Sequence, residues 1–233
     1  MKRLVQVLFI LQLTSSICHS QGKSRYAVGI DAGSGFTDNA WSPSIYYHEE
    51  IGSHRVPWLR FSLGIRAWGY YSGKSDLISQ GESSLPDTLK FRNTSVNGIS
   101  LVPGVTLRLW KIDLGVNTDL AGFTFGSGRN AFYPKNSLVA GDGEAYYNKW
   151  VPAAPPRFSI LPQLLPDKSS GQSEVFARIF FTRSLGLKVG YVFGKMVYAT
   201  KSADDRRIRL DNGHLYFADR YRMPYIAVSF SFL

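Results

Sequence analysis

Residues 96–126 constrain the fold more than any other stretch of the chain. They read VNGISLVPGVTLRLW, then Lys111, then IDLGVNTDLAGFTFG. In the first half Ile99, Leu101, Pro103, Val105, Leu107 and Leu109 share one face, and Ser100, Val102, Gly104, Thr106 and Arg108 share the other. In the second half Ile112, Leu114, Val116, Thr118 and Leu120 oppose Asp113, Gly115, Asn117 and Asp119. This is period two, the period of a strand. Both runs exceed the usual strand of roughly 5–6 residues. One face is almost wholly aliphatic, and the other is small, polar or charged. Long alternating strands joined by almost nothing are what a transmembrane barrel needs, at about 9–11 tilted residues per span. The implied fold class is all-β: an antiparallel up-and-down transmembrane β-barrel.

The rest of the chain supplies further alternating runs. Residues 25–34 set Tyr26, Val28, Ile30 and Ala32 against Ala27, Gly29 and Asp31. Residues 41–50, WSPSIYYHEE, make a weaker strand with Pro43 near its start, where an edge or end residue belongs. In 58–71, Leu59, Phe61, Leu63, Ile65 and Ala67 oppose Arg60, Ser62, Gly64 and Arg66. Residues 174–183 and 187–199 form a second hairpin around Ser184, and the chain ends with Ile226, Val228, Phe230 and Phe232 on one face. The alternation slips near Ala121-Gly122, which makes Gly122 a candidate bulge.

Eight strands follow from this pattern. They place GSHRVP, Lys111 and Ser184 on the periplasmic side, and 35–40, 72–95, 127–173 and 200–215 outside. Short turns on one side and longer loops on the other are the asymmetry of such barrels. The segment FSILPQLL is assigned to a loop. If it spans, the count becomes ten.

The first residues read Met1-Lys2-Arg3, LVQVLFILQL and TSSICHS before Gln21. A basic start, a short apolar run and a small-residue exit form a secretory leader, here 1–20. The apolar run is about half the roughly 20 residues of a spanning helix. A lipid anchor at Cys18 is disfavoured because no small residue directly precedes it. Residues 21–233 then form one domain without cysteine, which excludes a disulfide scaffold. Cleavage removes Lys2 and Arg3 and takes the formal net charge from +10 to +8. Such a charge favours anionic surfaces. For an exported chain, outer-membrane lipid and lipopolysaccharide are the expected partners, not nucleic acid. Asn93-Thr94-Ser95 matches a glycosylation triplet, a match common by chance.

Four stretches carry a resemblance: DLGVNTDLAGFTFGSG, FSLGIRAWGYYSGK, FSILPQLLPDKSSGQSEVFARIFF and the terminal SFSFL. The chain resembles a family of uncharacterised Bacteroidetes outer-membrane β-barrel proteins over most of its mature length. The leader ending just before Gln21 is also typical of that group. The resemblance implies an eight-stranded barrel in the bacterial outer membrane and no established activity, so it assigns no functional residue. The final Leu233 departs from the usual aromatic ending. Phe230 and Phe232 are the expected assembly signal, read by the barrel-assembly machinery. The expected state is a monomer without cofactor or metal.

The inward faces collect charge: Arg60, Arg66, Arg108, Arg178 and Lys188 against Asp31, Asp113, Asp119 and Glu174. An eight-stranded barrel is just wide enough to be filled by side chains, and buried charges must be paired. A salt-bridged plug is the expectation, with a narrow ion or solute path as the alternative. His48, beside Glu49 and Glu50 and near Ser44, imitates a Ser-His-acid arrangement at strand spacing, but no nucleophile motif accompanies it. A small lipid-modifying enzyme is therefore an alternative, and a soluble secreted β-sandwich is another. Arg206, Arg207 and Arg209 sit among Asp204, Asp205 and Asp211 and would repel a cation, which fits a loop of internal ion pairs better than a calcium site. Gly126-Ser127-Gly128 and Gly141-Asp142-Gly143 lack a P-loop lysine and read as turns. Trp58, Tyr70, Tyr71, Trp110, Phe181 and Tyr225 are the expected interfacial aromatics.

Overall fold

The computed structural model describes residues 25–52, 55–56, 58–80, 86–109, 112–135, 141, 143–164, 168–201 and 207–232. The leader at 1–20, Cys18, His54, Trp110, Lys111, Asp142, Asp204, Asp205, Arg206 and Leu233 lie outside the described residues.

The chain is all-β and antiparallel, as its alternation implies, but the described residues form fourteen strands, not eight or ten. In order these are β1 (Arg25–Phe36), β2 (Ala40–Gly52), β3 (Leu59–Ser72), β4 (Ser75–Ser79), β5 (Thr88–Phe91), β6 (Thr94–Leu109) and β7 (Ile112–Thr118). There follow β8 (Ala121–Phe125), β9 (Arg129–Tyr133), β10 (Lys149–Ala154), β11 (Phe158–Ile160), β12 (Gly171–Phe180), β13 (Leu185–Thr200) and β14 (Tyr216–Phe232). The extra strands β4, β5, β9, β10 and β11 lie in the polar stretches assigned to loops. They run only three to six residues, too short for their period to stand out. Among the described residues of FSILPQLL only Phe158–Ile160 is a strand, a short one paired to β8.

Eight strands pair in a circuit that returns to its start: β1 to β2, β3, β6, β7, β12, β13, β14 and back to β1. The register can be followed around it. Arg25 pairs Gly52, which pairs Arg60, and the path continues through Thr106, Gly115, Phe176, Gly190 and Tyr225. Tyr225 then pairs Gly35, so the circuit returns to β1 ten residues beyond Arg25.

A second circuit stands on the first. The Tyr216 end of β14 pairs β4, then β5, β9 and β10 follow, and β10 pairs the Thr200 end of β13. Because β13 and β14 also pair each other over Met196–Ala199, six strands close a smaller ring. β13 and β14, at 16 and 17 residues, run through both rings.

The slip near Gly122 has a different position from the one its sequence indicates. Gly104 pairs Asn117, and Leu101 pairs Ala121. Two residues on β6 therefore face three on the partner, so the extra residue lies within 118–120, while Gly122 stays in register opposite Ser100. The bulge joins β7 to β8 as one bent wall along β6.

Candidate functional site

The interior of the eight-strand ring is built by alternation. Each strand sends every second side chain inward, and these rows carry the charged residues. At the end bearing the Ser184 turn, Arg108 on β6 faces Asp113 on β7 across the hairpin, through Nε–Oδ1 and Nη2–Oδ2 contacts of 2.8 Å each. Asp113 also accepts from Arg178 on β12 at 3.0 Å. Arg178 reaches Glu50 at 2.5 Å, and Arg60 reaches the other oxygen of Glu50 at 3.3 Å. His48 lies between Glu50, at 3.4 Å, and Asp31, at 3.7 Å.

Further along the ring the pairing continues without a break. Lys188 sits 3.0 Å from Asp31 and 2.6 Å from Glu174. Ser229 on β14 donates to Asp31 at 2.5 Å. Arg66 contacts Asp119 at 3.0 Å and Glu174 at 3.4 Å, and donates to Asn117. Asp119 also accepts the backbone N–H of Gln172 at 2.9 Å. The Lys188 ammonium lies 4.2 Å from the Phe176 ring centroid, and the Arg66 guanidinium lies 5.1 Å from that of Tyr46. Nearly all of these groups are buried; Arg108 is the exception, with 28 % of its side chain exposed.

The structure thus brings Asp31, Arg60, Arg66, Arg108, Asp113, Asp119, Glu174, Arg178 and Lys188 into one connected cluster. Sequence reading missed His48, Glu50, Asn117 and Ser229 as members. The signal was present: Ser42, Ser44, Tyr46, His48 and Glu50 form one row of β2, and all are buried. With Glu50 included, five cations meet five carboxylates. The Ser-His-acid arrangement is not assembled. Ser44 bonds Tyr225 at 3.0 Å, and Glu49 points away and accepts from Tyr47 at 2.8 Å. His48 is buried among Asp31, Glu50 and Arg178.

Beyond the charged layer the filling turns apolar and runs on into the six-strand ring. Trp68, Tyr70, Val96, Met196, Tyr198, Phe217 and Met223 belong to one buried cluster with Leu77, Leu89, Phe91, Tyr133, Val151 and Leu210. Tyr70 and Tyr221 stack at 4.1 Å, and Gly194 leaves the space that the Tyr221 ring occupies. Tyr70 and Tyr225 are therefore interior residues, not the interfacial aromatics their sequence position suggests. Their place in the alternation puts them inward, with 3 % and 4 % exposure.

A polar knot ties the loops to this apolar ring. Lys135 bridges Asp87 at 2.7 Å and Asp211 at 3.2 Å, and His214 reaches Asp87 at 3.3 Å. Asp211 accepts from the Gly143 N–H at 2.8 Å and from the Tyr147 hydroxyl. Among the described residues Asp211 therefore pairs with Lys135 rather than with Arg207 or Arg209, and Arg207 donates instead to the Tyr216 hydroxyl at 2.5 Å. Burial opposes ionisation of Asp211, but the bonds from Tyr147, Gly143 and Lys135 outweigh it and hold the carboxyl below its ordinary range.

The outer face of the eight-strand ring is apolar on every strand. Ile45, Phe61, Leu63, Ile65, Leu114, Val116, Val175, Val189, Ile226 and Val228 are all exposed there. Trp41 and Tyr71 stack at 5.0 Å at one margin, and Trp58 and Phe181 are exposed toward the other. Phe230 and Phe232 point outward, and Phe232 is the partner of Val28 in the seam. No protein-family model matches the chain, and no curated protein matches it.

Proposed function

We propose that the chain is an integral outer-membrane β-barrel protein, akin to the Bacteroidetes barrels it resembles, with a side-chain-plugged lumen. In this reading the eight-strand circuit spans the membrane, and the six-strand ring stands outside it as a rigid platform. The work of such a molecule is anchoring and display, not catalysis. Outer-membrane lipid and lipopolysaccharide surround it, and the barrel-assembly machinery inserts it as a monomer.

The observation that carries this reading is the unbroken apolar belt around a ring of strands without edges. Soluble monomers rarely expose apolar patches beyond a few hundred Å², and a sandwich would leave edge strands unpaired. The dimensions agree. A ten-residue stagger at about 3.3 Å per residue, spread over eight strands about 4.8 Å apart, gives a tilt of about 40°. The outward row on β6 runs from Ile99 to Leu109, about 33 Å along the strand at that rise. At such a tilt it covers about 25 Å of height, the height of the apolar band of outer-membrane barrels. The interior argues against a pore, because the charges that a channel would leave to water are paired with one another.

Val116 tests the reading. It is half-exposed and pairs with Val105, midway along the β6 row. Val116→Arg should cost about 2–4 kcal/mol in urea unfolding from lipid vesicles. The wild-type protein should fractionate with the outer membrane and show heat-modifiable gel mobility. A change within about 0.5 kcal/mol, as expected for an exposed site in a soluble protein, together with solubility without detergent, would reject the membrane reading in favour of a secreted sandwich.

A further inference from the structure

Above the belt, Pro155-Pro156 stiffens the chain between β10 and β11 and leads to the exposed Arg157. Phe158 and Ile160 follow on β11, both exposed, with the Phe158 ring 5.3 Å from that of Phe123. Lys168 lies just before β12, Lys201 just after β13, and Arg207 shortly before β14. Apart from Phe123, which lies beside it, these residues line one open cavity of about 810 Å³. Among its described lining residues four are cationic and none is acidic. Arg207 and Lys168 both lie over Tyr216, at 5.3 Å and 5.5 Å from its ring centroid.

Arg157, Lys168 and Arg207 place like charges around one cavity, and an anion relieves their repulsion. The floor is not suited to a small hydrated anion. Phe158 and Ile160 continue the apolar row of Phe123 and Phe125 directly into the belt. A ligand that satisfies both features has a charged head and a hydrocarbon tail. We propose that this cavity binds the phosphate-bearing headgroup of a membrane lipid, with its acyl chains lying over Phe158, Ile160 and Phe123. The cations take the phosphate by charge-assisted hydrogen bonds, and the aromatic and aliphatic side chains take the chain. The site rests on the outer-membrane reading, since it needs the lipid to reach the cavity along the belt.

The test uses the folded full chain in mild detergent, titrated with bisphosphorylated lipid A, its dephosphorylated counterpart and inorganic phosphate. Bound lipid is counted by native mass spectrometry, and heat-modifiable mobility checks that each variant is folded. Lipid A should bind, and removing its phosphates should weaken binding by about tenfold or more. Arg157→Gln and Lys168→Gln, both exposed and outside strands, should each weaken it by about tenfold while leaving the fold intact. Lys90→Gln, exposed on β5 and not part of the cavity, should leave it unchanged. Equal binding of the dephosphorylated lipid overturns the proposal. So does equal loss in Lys90→Gln, or inorganic phosphate binding as tightly as the lipid. Failure of the outer-membrane reading looks different: the protein then stays soluble and monomeric without detergent and shows no heat-modifiable form.

Discussion

Arg178 touches more carboxylates than any other cation of the ring: Glu50, Asp113 and, at 3.8 Å, Asp31. Taking one partner out of a buried ion pair leaves the others charged and unsolvated, at about 3–5 kcal/mol. Arg178→Met should therefore lower stability by about that amount in urea unfolding from vesicles. Arg108→Met should cost about 1 kcal/mol or less, because Arg108 is partly solvated and Asp113 keeps Arg178. Equal costs for the two would mean that the network does not hold the interior together. Asp211 makes a separate, acid-sensitive contribution. Its carboxyl is held below the ordinary value near 4 by Tyr147, Gly143 and Lys135 acting against burial. A depressed folded value stabilises fully above the ordinary pKa and is lost as pH falls through the lower one. Hydrogen-exchange protection of the Gly143 amide should accordingly fall on acidification toward about pH 3. In Asp211→Asn it should be low at every pH. A wild-type amide whose protection is unchanged in acid would remove Asp211 from this role.

The terminal strand shows how one element serves both rings. Its Tyr216 half pairs with β13 and β4 around an apolar interior, and its Phe232 half pairs with β13 and β1 around a charged one. Its outward row of Ile226, Val228, Phe230 and Phe232 completes the belt. The seam with β1 consists of eight register pairs, and the last two are Ser231 with Gly29 and Phe232 with Val28. Ser231 also donates its N–H to the Ser184 carbonyl at 2.9 Å, which ties the seam to the neighbouring turn. If the ring spans the outer membrane as proposed, deleting residues 231–233 removes these pairs and exposes backbone groups that lipid cannot satisfy. The truncated protein should be missing from the outer-membrane fraction and should lose heat-modifiable mobility. If these residues were a loose tail, as chain ends often are, membrane levels would stay normal, and Phe230 and Phe232 would lose their assembly role.

At the scale of the whole molecule, a paired charged layer and an apolar second ring lie in series along one axis defined by β13 and β14. Water or ions would have to break the ion pairs and then enter an apolar cluster, so planar-bilayer recordings of the purified protein should show no stable, sizeable conductance. Reproducible open-channel currents would refute the plug. The long strands were legible from the sequence alone. β3, β6, β7, β12, β13 and β14 alternate over enough residues for one face to declare itself, and a one-residue slip would turn the whole apolar row inward. The same alternation determined which charges face inward, from Asp31 to Lys188, and it held His48 and Glu50 too, both inside the strand read at 41–50 and both on its buried row. Local pattern could not supply the six-strand ring. Strands as short as Thr88–Phe91 gain their stability from partners distant in sequence, and their inward residues, such as Leu77, Leu89 and Val151, look like isolated apolar residues in polar loops. The bulge within 118–120 was mislocated because the slip in pattern appears only after the extra residue. The pairing of Asp113 with Arg178, 65 residues apart, is set by which strands lie side by side, as is the ten-residue stagger that returns the circuit to β1. The sequence by itself determined which face of each strand is apolar, because side-chain period is a local property. Only the tertiary structure decided which strands are neighbours and at what register, because that depends on the joint pairing of every backbone edge in the ring.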